Sequence, residues 1–316
     1  MLRTLAVDVT PVCNMFCSHC YAETFRDSQA VPLEKMEKAL EEAYRLGVFH
    51  YVLQGGEPLV SPARLEAIIG YCRPDESYIN VVSNGWAVTP DKVKWLVDLQ
   101  VDKMTFSLDS GVEAEHDAIR GKGSYQRVLR AMDIVQNSGL LCGISTVVSR
   151  GSLSSEGFRI VYELAVAKGV RLHLQVAEPV GKWDGEKGNL ITPEENRIIK
   201  DLERTCPRIS TGQPMIHRDI FCGDQDHCPA GTEFMAISSD GNFLPCNFLQ
   251  FTLGKVGDKS LADMRQDLLA SPWFDGSHPN CICGEDDEFI DTFIVPHKGQ
   301  TKPLNAYEVF GLEAKA

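Results

Sequence analysis

Cys13, Cys17 and Cys20 fall within eight residues of one another, in Thr10-Pro11-Val12-Cys13-Asn14-Met15-Phe16-Cys17-Ser18-His19-Cys20-Tyr21. Three thiolates on one tight loop suit three irons of a [4Fe–4S] cube and leave the fourth iron open to an outside ligand. Structural zinc sites more often come as paired C-x₂-C units with four protein ligands, and no second pair lies within easy sequence reach. A second chemical feature is Gln54-Gly55-Gly56-Glu57-Pro58. Its glycines let backbone approach a ligand closely and its carboxylate can hold an ammonium, although the run by itself also reads as a plain turn. A third is a C-terminal group of thiols, Cys222, Cys228, Cys246, Cys281 and Cys283. Four thiolates serve either a second cube or a zinc ion, so five cysteines compete for at most four positions. Cys72, Cys142 and Cys206 stand alone and read as small buried hydrophobes.

These residues need a scaffold, and the apolar pattern supplies one. Candidate strands at 4–9, 50–53, 78–82, 103–108, 141–148 and 171–176 alternate with helical stretches at 33–46, 62–71, 90–99, 124–138 and 155–168. Gly47, Gly139 and Gly169 suit helix ends. Such alternation predicts an α/β fold with a parallel sheet, a partial (β/α)₆ barrel with the chemistry at the C-terminal strand ends. The cysteine triad follows the first strand, Gly55-Gly56-Glu57 the second, Ser83-Asn84 the third, and Ser107-Leu108-Asp109 the fourth. Periodicity breaks at 178–185, read as a linker between a barrel over 1–185 and a small α+β domain over 186–316. The latter holds a helix at 193–204, a β-hairpin turning on Ser239-Asp240-Gly241-Asn242, and a short helix at 261–269.

The bulk numbers exclude several classes. A net charge of −13 over 316 residues argues against a nucleic-acid partner. No apolar run is long enough for a membrane span, and no signal peptide opens the chain, so the expected location is the cytoplasm. An odd count of 11 cysteines argues against a disulfide framework.

The C-x₃-C-x₂-C triad, the Gly-Gly-Glu-Pro turn and the polar strand ends together resemble the radical S-adenosylmethionine (SAM) superfamily over roughly residues 4–180. The resemblance implies that SAM's amino and carboxylate groups chelate the open iron of a [4Fe–4S] cluster. Reductive cleavage then yields a 5′-deoxyadenosyl radical that takes a hydrogen atom from substrate, with the electron coming from a reductant such as flavodoxin or ferredoxin. It makes Gly55, Gly56 and Glu57 binders of the methionyl amine, and Ser83, Asn84, Ser107 and Asp109 cofactor contacts at the strand ends, where Ser and Asp side chains are candidates for the ribose hydroxyls. Ser110 stands where the family often has glycine. His19 either packs near the adenine or is a solvated loop histidine. Glu178 becomes a substrate-contact candidate. Arg120 lies in an Ala-Ile-Arg-Gly segment recurrent among peptide- and sugar-modifying members.

The C-terminal region resembles the SPASM/twitch extension, which carries auxiliary Fe–S clusters. It lacks the further C-x₂-C-x₅-C-x₃-C run of a full SPASM domain, which predicts one auxiliary [4Fe–4S] cluster. Cys228 and Cys246 match best, the choice between Cys281 and Cys283 stays open, and Cys222 matches the leading cysteine. A thiol left over would be a hydrogen-atom donor for epimerisation, or simply unused. The first strand begins at Thr4, which is read as leaving no room for a leader-peptide-binding domain. Asp219, Asp224, Asp226 and the 285–291 acidic run suit a cationic small-molecule substrate, or are a solvated acidic tail. In size and layout the chain is similar to the aminoglycoside- and aminocyclitol-modifying members, which gives an amino-sugar epimerase or dehydrogenase as the expectation. The alternatives are a ribosomal-peptide maturase and a non-enzymatic Fe–S carrier, the last disfavoured by the SAM-binding loops.

Overall fold

The computed structural model describes residues 1–206, 209–211 and 227–313, with 209–211 by backbone alone. Six strands and six helices come first: β1 (Thr4–Thr10), α1 (Leu33–Arg45), β2 (His50–Gly55), α2 (Pro62–Tyr71), β3 (Tyr78–Ser83), α3 (Pro90–Asp98), β4 (Lys103–Ser107), α4 (Glu113–Arg120), α5 (Ser124–Gln136), β5 (Leu141–Val148), α6 (Glu156–Lys168) and β6 (Arg171–Val176). All seven residues of β1 are buried, as expected for a parallel strand covered on both faces. In α1 the buried set Met36, Ala39, Leu40 and Ala43 follows the helical repeat and turns one stripe to the sheet. Thr89 and Ser155 cap the starts of α3 and α6 through their hydroxyls, and Gly169, at φ +66°, ends α6 in the left-handed region. Helix α4 was not foreseen. Its turn-forming flanks and single buried side chain, His116, leave almost no periodic signal.

The sheet runs β7-β6-β5-β4-β3-β2-β1-β8-β9, where β7 is Ile209–Thr211, β8 Phe234–Ile237 and β9 Phe243–Leu244. The expected hairpin forms, with β8 and β9 antiparallel. Its first strand, however, pairs in parallel with β1 from Thr4↔Phe234 to Val7↔Ile237. At the far edge β7 pairs in parallel with β6. The barrel sheet is therefore extended at both edges by chain beyond residue 185, and the hairpin belongs to it.

Helix α7 (Pro193–Thr205) carries the full capping box of Thr192 and Glu195, and α8 (Leu261–Leu268) is capped by Ser260. Phe251, Phe274, Phe289, Phe293 and Phe310 form an aromatic cluster of edge-to-face and tilted pairs that packs the C-terminal segment. Among the described residues no helix is long and apolar enough to cross a membrane.

Candidate functional site

The loop after β1 is extended, and its side chains alternate. Val12, Asn14, Phe16 and Ser18 are exposed, whereas Cys13, Met15 and Cys17 turn inward to a cleft that Cys20 also lines. The cleft encloses roughly 1170 Å³ of atom-free space, part of it open to solvent. The Gly-Gly turn after β2 lies directly under this loop. Gly56 N donates to Thr10 O at 2.8 Å and Glu57 N to Val12 O at 2.9 Å. A Cβ at Gly56 would sit 2.1 Å from Val12 O, and Gly55, at φ +119°, is pressed against Asp8. The glycines are thus required by the crossing of two protein loops, a reason additional to any approach of ligand. The segment 178–185, expected to be a linker, clamps the loop from the other side. A Cβ on Gly181 would meet Cys20 O at 2.2 Å, and Lys182 N donates to that carbonyl at 3.1 Å.

Glu57 is buried and accepts three hydrogen bonds: Ser83 Oγ at 2.8 Å, Asn84 N at 2.8 Å and Leu59 N at 3.2 Å. Burial still raises its pKa above the ordinary value, so a cation beside it would be welcome. Asn84 in turn donates to Asn14 Oδ1 at 2.9 Å, tying the third strand end to the cysteine loop. Asp109 does not line the cleft. It stands behind His19 and Arg120, accepting from His19 Nε2 at 2.9 Å, from Arg120 Nε and Nη2, and from Val147 N at 3.1 Å. Burial pushes its pKa up, but the Arg120 guanidinium and the hydrogen bonds from His19 and Arg120 outweigh this and hold it well below the carboxylate range. Its lone pairs serve the protein, which places it as a positioning group rather than a ribose contact. Arg120 reaches the cleft, with Nη1 4.0 Å from Cys17 Sγ. His19 lines the cleft edge-on to Trp183 at 5.7 Å.

Strands β4–β6 form the opposite wall. Ser107 pairs in register with Ser145, and Ser145 with His173, giving one polar row across three strands, with Val147 and Gln175 one layer up. Neither ring nitrogen of His173 finds a well-aimed hydrogen bond, although the Gln175 amide lies beside it. Burial, aided by Lys103, lowers its pKa to about 3, so the imidazole is neutral. Ser145, His173 and Gln175 were missed in the sequence. The signal was there, a polar residue at every second position of a buried strand, Arg171-Leu-His-Leu-Gln-Val. Glu178, foreseen, does line the cleft. It accepts from Gln175 Nε2 at 2.9 Å, and burial raises its pKa well above the usual value.

Behind Glu178 lies the second thiol group. Cys281 Sγ donates to Glu178 Oε1 at 3.8 Å, and Cys283 Sγ to Phe248 O at 3.8 Å. Burial raises the pKa of Cys228, Cys246, Cys281 and Cys283, and the Glu178 charge raises each further. All four are free thiols, as are the three of the loop. Burial likewise pushes Cys13 up to about 11 and raises Cys20, so it is metal that would make these groups thiolates. Among the described residues no three His, Cys, Asp or Glu side chains converge on a single ion. A cube spreads its thiolates over separate irons, so two sets of buried and half-buried thiols without disulfides fit it. Neither Cys281 nor Cys283 lines the cleft, and Cys222, Asp219, Asp224 and Asp226 lie outside the described residues.

Comparison with known proteins agrees. A radical SAM superfamily profile matches residues 7–153, and that of the SPASM iron–sulfur cluster-binding domain matches 228–284, which spans all four of these thiols. The PqqA peptide cyclase of Streptomyces rochei is 30% identical over 252 residues, 77% of this chain and 68% of that protein. An AdoMet-dependent heme synthase of Methanosarcina barkeri is 26% identical over 290 residues, 83% of this chain and 81% of that protein. The structure of Streptococcus suis SuiB bound to its precursor peptide SuiA superimposes with a TM-score of 0.67 at 18% identity, over 87% of this chain and 66% of SuiB. None of these three is an amino-sugar enzyme. With the cysteine loop, the Gly-Gly-Glu turn and the second thiol group all in place, the chain belongs to the radical SAM superfamily as an enzyme with a SPASM region, using SAM, a [4Fe–4S] cluster and auxiliary Fe–S.

Proposed function

We propose that this enzyme removes a hydrogen atom from a residue of a ribosomally made precursor peptide and so forms a crosslink. The observation that carries this reading is the 30% identity to a PqqA peptide cyclase across most of both chains. It replaces the amino-sugar expectation and the small-molecule partner that went with it. The loop thiols Cys13, Cys17 and Cys20 would hold the SAM-binding cluster, and Glu57 the methionyl ammonium. Cys228, Cys246 and two thiols so close in sequence as Cys281 and Cys283 supply the auxiliary site. The bound cofactors supply the radical and a place for the surplus electron. The chain's own groups exclude water, orient the peptide along the Ser107–Ser145–His173 row, and offer Glu178 as the polar group nearest the auxiliary thiols.

Epimerisation would need a hydrogen-atom donor in contact with substrate. Cys281 and Cys283 stand behind the cleft wall, which favours the crosslink. The test is incubation of reconstituted enzyme in D₂O with synthetic peptides encoded beside its gene, with amino sugars and tetrapyrroles as comparison substrates. A peptide product lacking a pair of hydrogens, formed with 5′-deoxyadenosine, is expected. Solvent deuterium in an otherwise unchanged peptide would restore epimerisation. Turnover of only the sugar or only the tetrapyrrole would sink the peptide reading.

A further inference from the structure

One wall residue of the cleft has hydrogen-bonding capacity that the described residues do not use. His173, on β6, is 4% exposed and lines the cleft, yet neither ring nitrogen has a well-aimed partner among them. Buried polar groups are ordinarily paired, so such a group calls for an explanation. The Gln175 amide lies beside the ring. Both of its N–H groups are committed, Nε2 donating to Glu178 Oε1 at 2.9 Å and to Val176 O at 3.3 Å. What Gln175 turns to the ring is therefore its carbonyl oxygen. The contact acts as an acceptor does, favouring a proton on the ring nitrogen beside it. In a neutral imidazole, a proton on one nitrogen leaves the other bare. Burial and the Lys103 charge hold this ring neutral, so its second nitrogen is a buried acceptor without a donor.

The surroundings restrict what can supply that donor. An ammonium would approach Lys103, which is buried and lies across Gly143: a Cβ there would sit 2.9 Å from Lys103 Cε. Gly143 stands two residues before Ser145 and pairs in register with Arg171, so basic residues underlie the polar row. A carboxylate has no proton to offer, and it would share the wall with Glu178. What remains is an uncharged N–H or O–H. Ser145, opposite His173 in the register, and Ser107 beyond it are hydroxyls that donate as well as accept. A hydroxyl on the ligand gives its proton to His173 and takes one from Ser145 at the same oxygen, which an indole or peptide N–H cannot do.

We propose that His173 is a specificity-determining residue of this cleft, its bare ring nitrogen accepting a hydrogen bond from an alcohol or phenol O–H of the substrate. In the peptide reading above, the group is the side chain of a serine, threonine or tyrosine; the inference rests on that reading only for the molecule that carries the hydroxyl. No covalent step is involved. Binding satisfies an acceptor that is otherwise buried unpaired, so the same side chain without its hydroxyl leaves His173 unsatisfied and is discriminated against.

The test uses reconstituted holoenzyme with SAM bound and no reductant, so that nothing turns over, and end-capped single amino acids as probes. Capped tyrosine is compared with capped phenylalanine, and capped threonine with capped valine. Each hydroxyl probe should bind about three- to tenfold more tightly than its partner. Capped glutamate and capped lysine should bind more weakly than capped tyrosine. In nitrogen NMR with isotope-labelled histidine, the His173 ring should show one protonated and one bare nitrogen, and the bare one should shift with capped tyrosine and not with phenylalanine. His173→Leu should keep iron content and melting temperature and lose the preference within both pairs; His173→Asn, which restores an acceptor, should recover part of it. A preference within one pair alone supports the proposal and narrows the hydroxyl to phenol or alcohol. Equal affinities within both pairs, no binding by either hydroxyl probe, or a preference that survives His173→Leu overturns it. So does a joint loss of iron and melting temperature in both variants, which makes the ring a support of the wall. A ring shift on adding SAM, with none on adding capped tyrosine, gives the nitrogen to the cofactor and also overturns it. No arm uses a precursor peptide: a precursor that fails to turn over strikes the peptide reading and leaves these ratios standing.

Discussion

At the scale of single residues, two buried carboxylates behave differently. Glu57 is surrounded by donors, so Glu57→Gln leaves one acceptor oxygen and turns an amide NH₂ toward a group that itself donates. SAM affinity should fall about ten- to a hundredfold and the fold should lose about 1–3 kcal/mol; calorimetry and denaturant midpoints check both, and unchanged affinity removes Glu57 from the site. Asp8, on β1, accepts from Tyr21 Oη at 3.1 Å, but burial pushes its pKa up to about 7. A raised acid pKa means that the folded state holds the proton more tightly than the unfolded chain. Stability therefore drops as pH rises from about 4 to about 7 and is flat above. Asp8→Asn removes that slope and should stabilise the cofactor-free protein at pH 8 by on the order of 2–4 kcal/mol. Urea midpoints at pH 5 and pH 8 decide it, and a variant no more stable than wild type at pH 8 refutes the assignment.

At the scale of elements, the site is made by loops pressed together without side chains between them. The Gly55-Gly56 turn beneath Val12 and Gly181 against Cys20 hold the cysteine loop from two sides. Gly56→Ala cannot be absorbed by a rotamer change, because the obstacle is a carbonyl 2.1 Å from the new methyl. The loop must lift, at a cost above the usual 1–3 kcal/mol or so for overpacking. Iron should drop by about four per chain as the N-terminal cube is lost, with the C-terminal iron retained. Retention of full iron and SAM cleavage would show that the contact is slack. Helix α4 is the element that pattern reading could not find, because it presents one buried residue; its worth lies in Arg120 at its end, which closes on Asp109.

At the scale of the whole molecule, the two iron regions hang from neighbouring strands. β1 leads into the cysteine loop, and β8, hydrogen-bonded beside it, lies between Cys228 and Cys246. The wild-type protein should hold about eight irons, and the Cys13/Cys17/Cys20→Ala triple variant about four. The triple variant should still melt cooperatively, because β1–β8 pairing does not pass through the metal. An iron count near twelve would mean that a further cluster escaped the sequence reading, and zinc in place of the second four would remove the auxiliary cube.

What the sequence determined by itself was local. The spacing of Cys13, Cys17 and Cys20, the Gly-Gly-Glu turn, the strand–helix alternation and the Asp240-Gly241 hairpin are patterns within a few residues, and chemistry and backbone geometry dictate them there. The tertiary structure decided everything that joins distant segments. It set β8 against β1, turned a supposed linker into a clamp on Cys20, and moved Asp109 from ligand contact to a brace for Arg120 and His19. It also brought Cys281 to Glu178 across more than a hundred residues, which put the candidate donor behind the wall instead of in the cleft. The reason is physical. Strand pairing and burial depend on which surfaces meet in space, and no spacing along the chain records that a carboxylate will be out of water or that a carbonyl will fill the place of a Cβ.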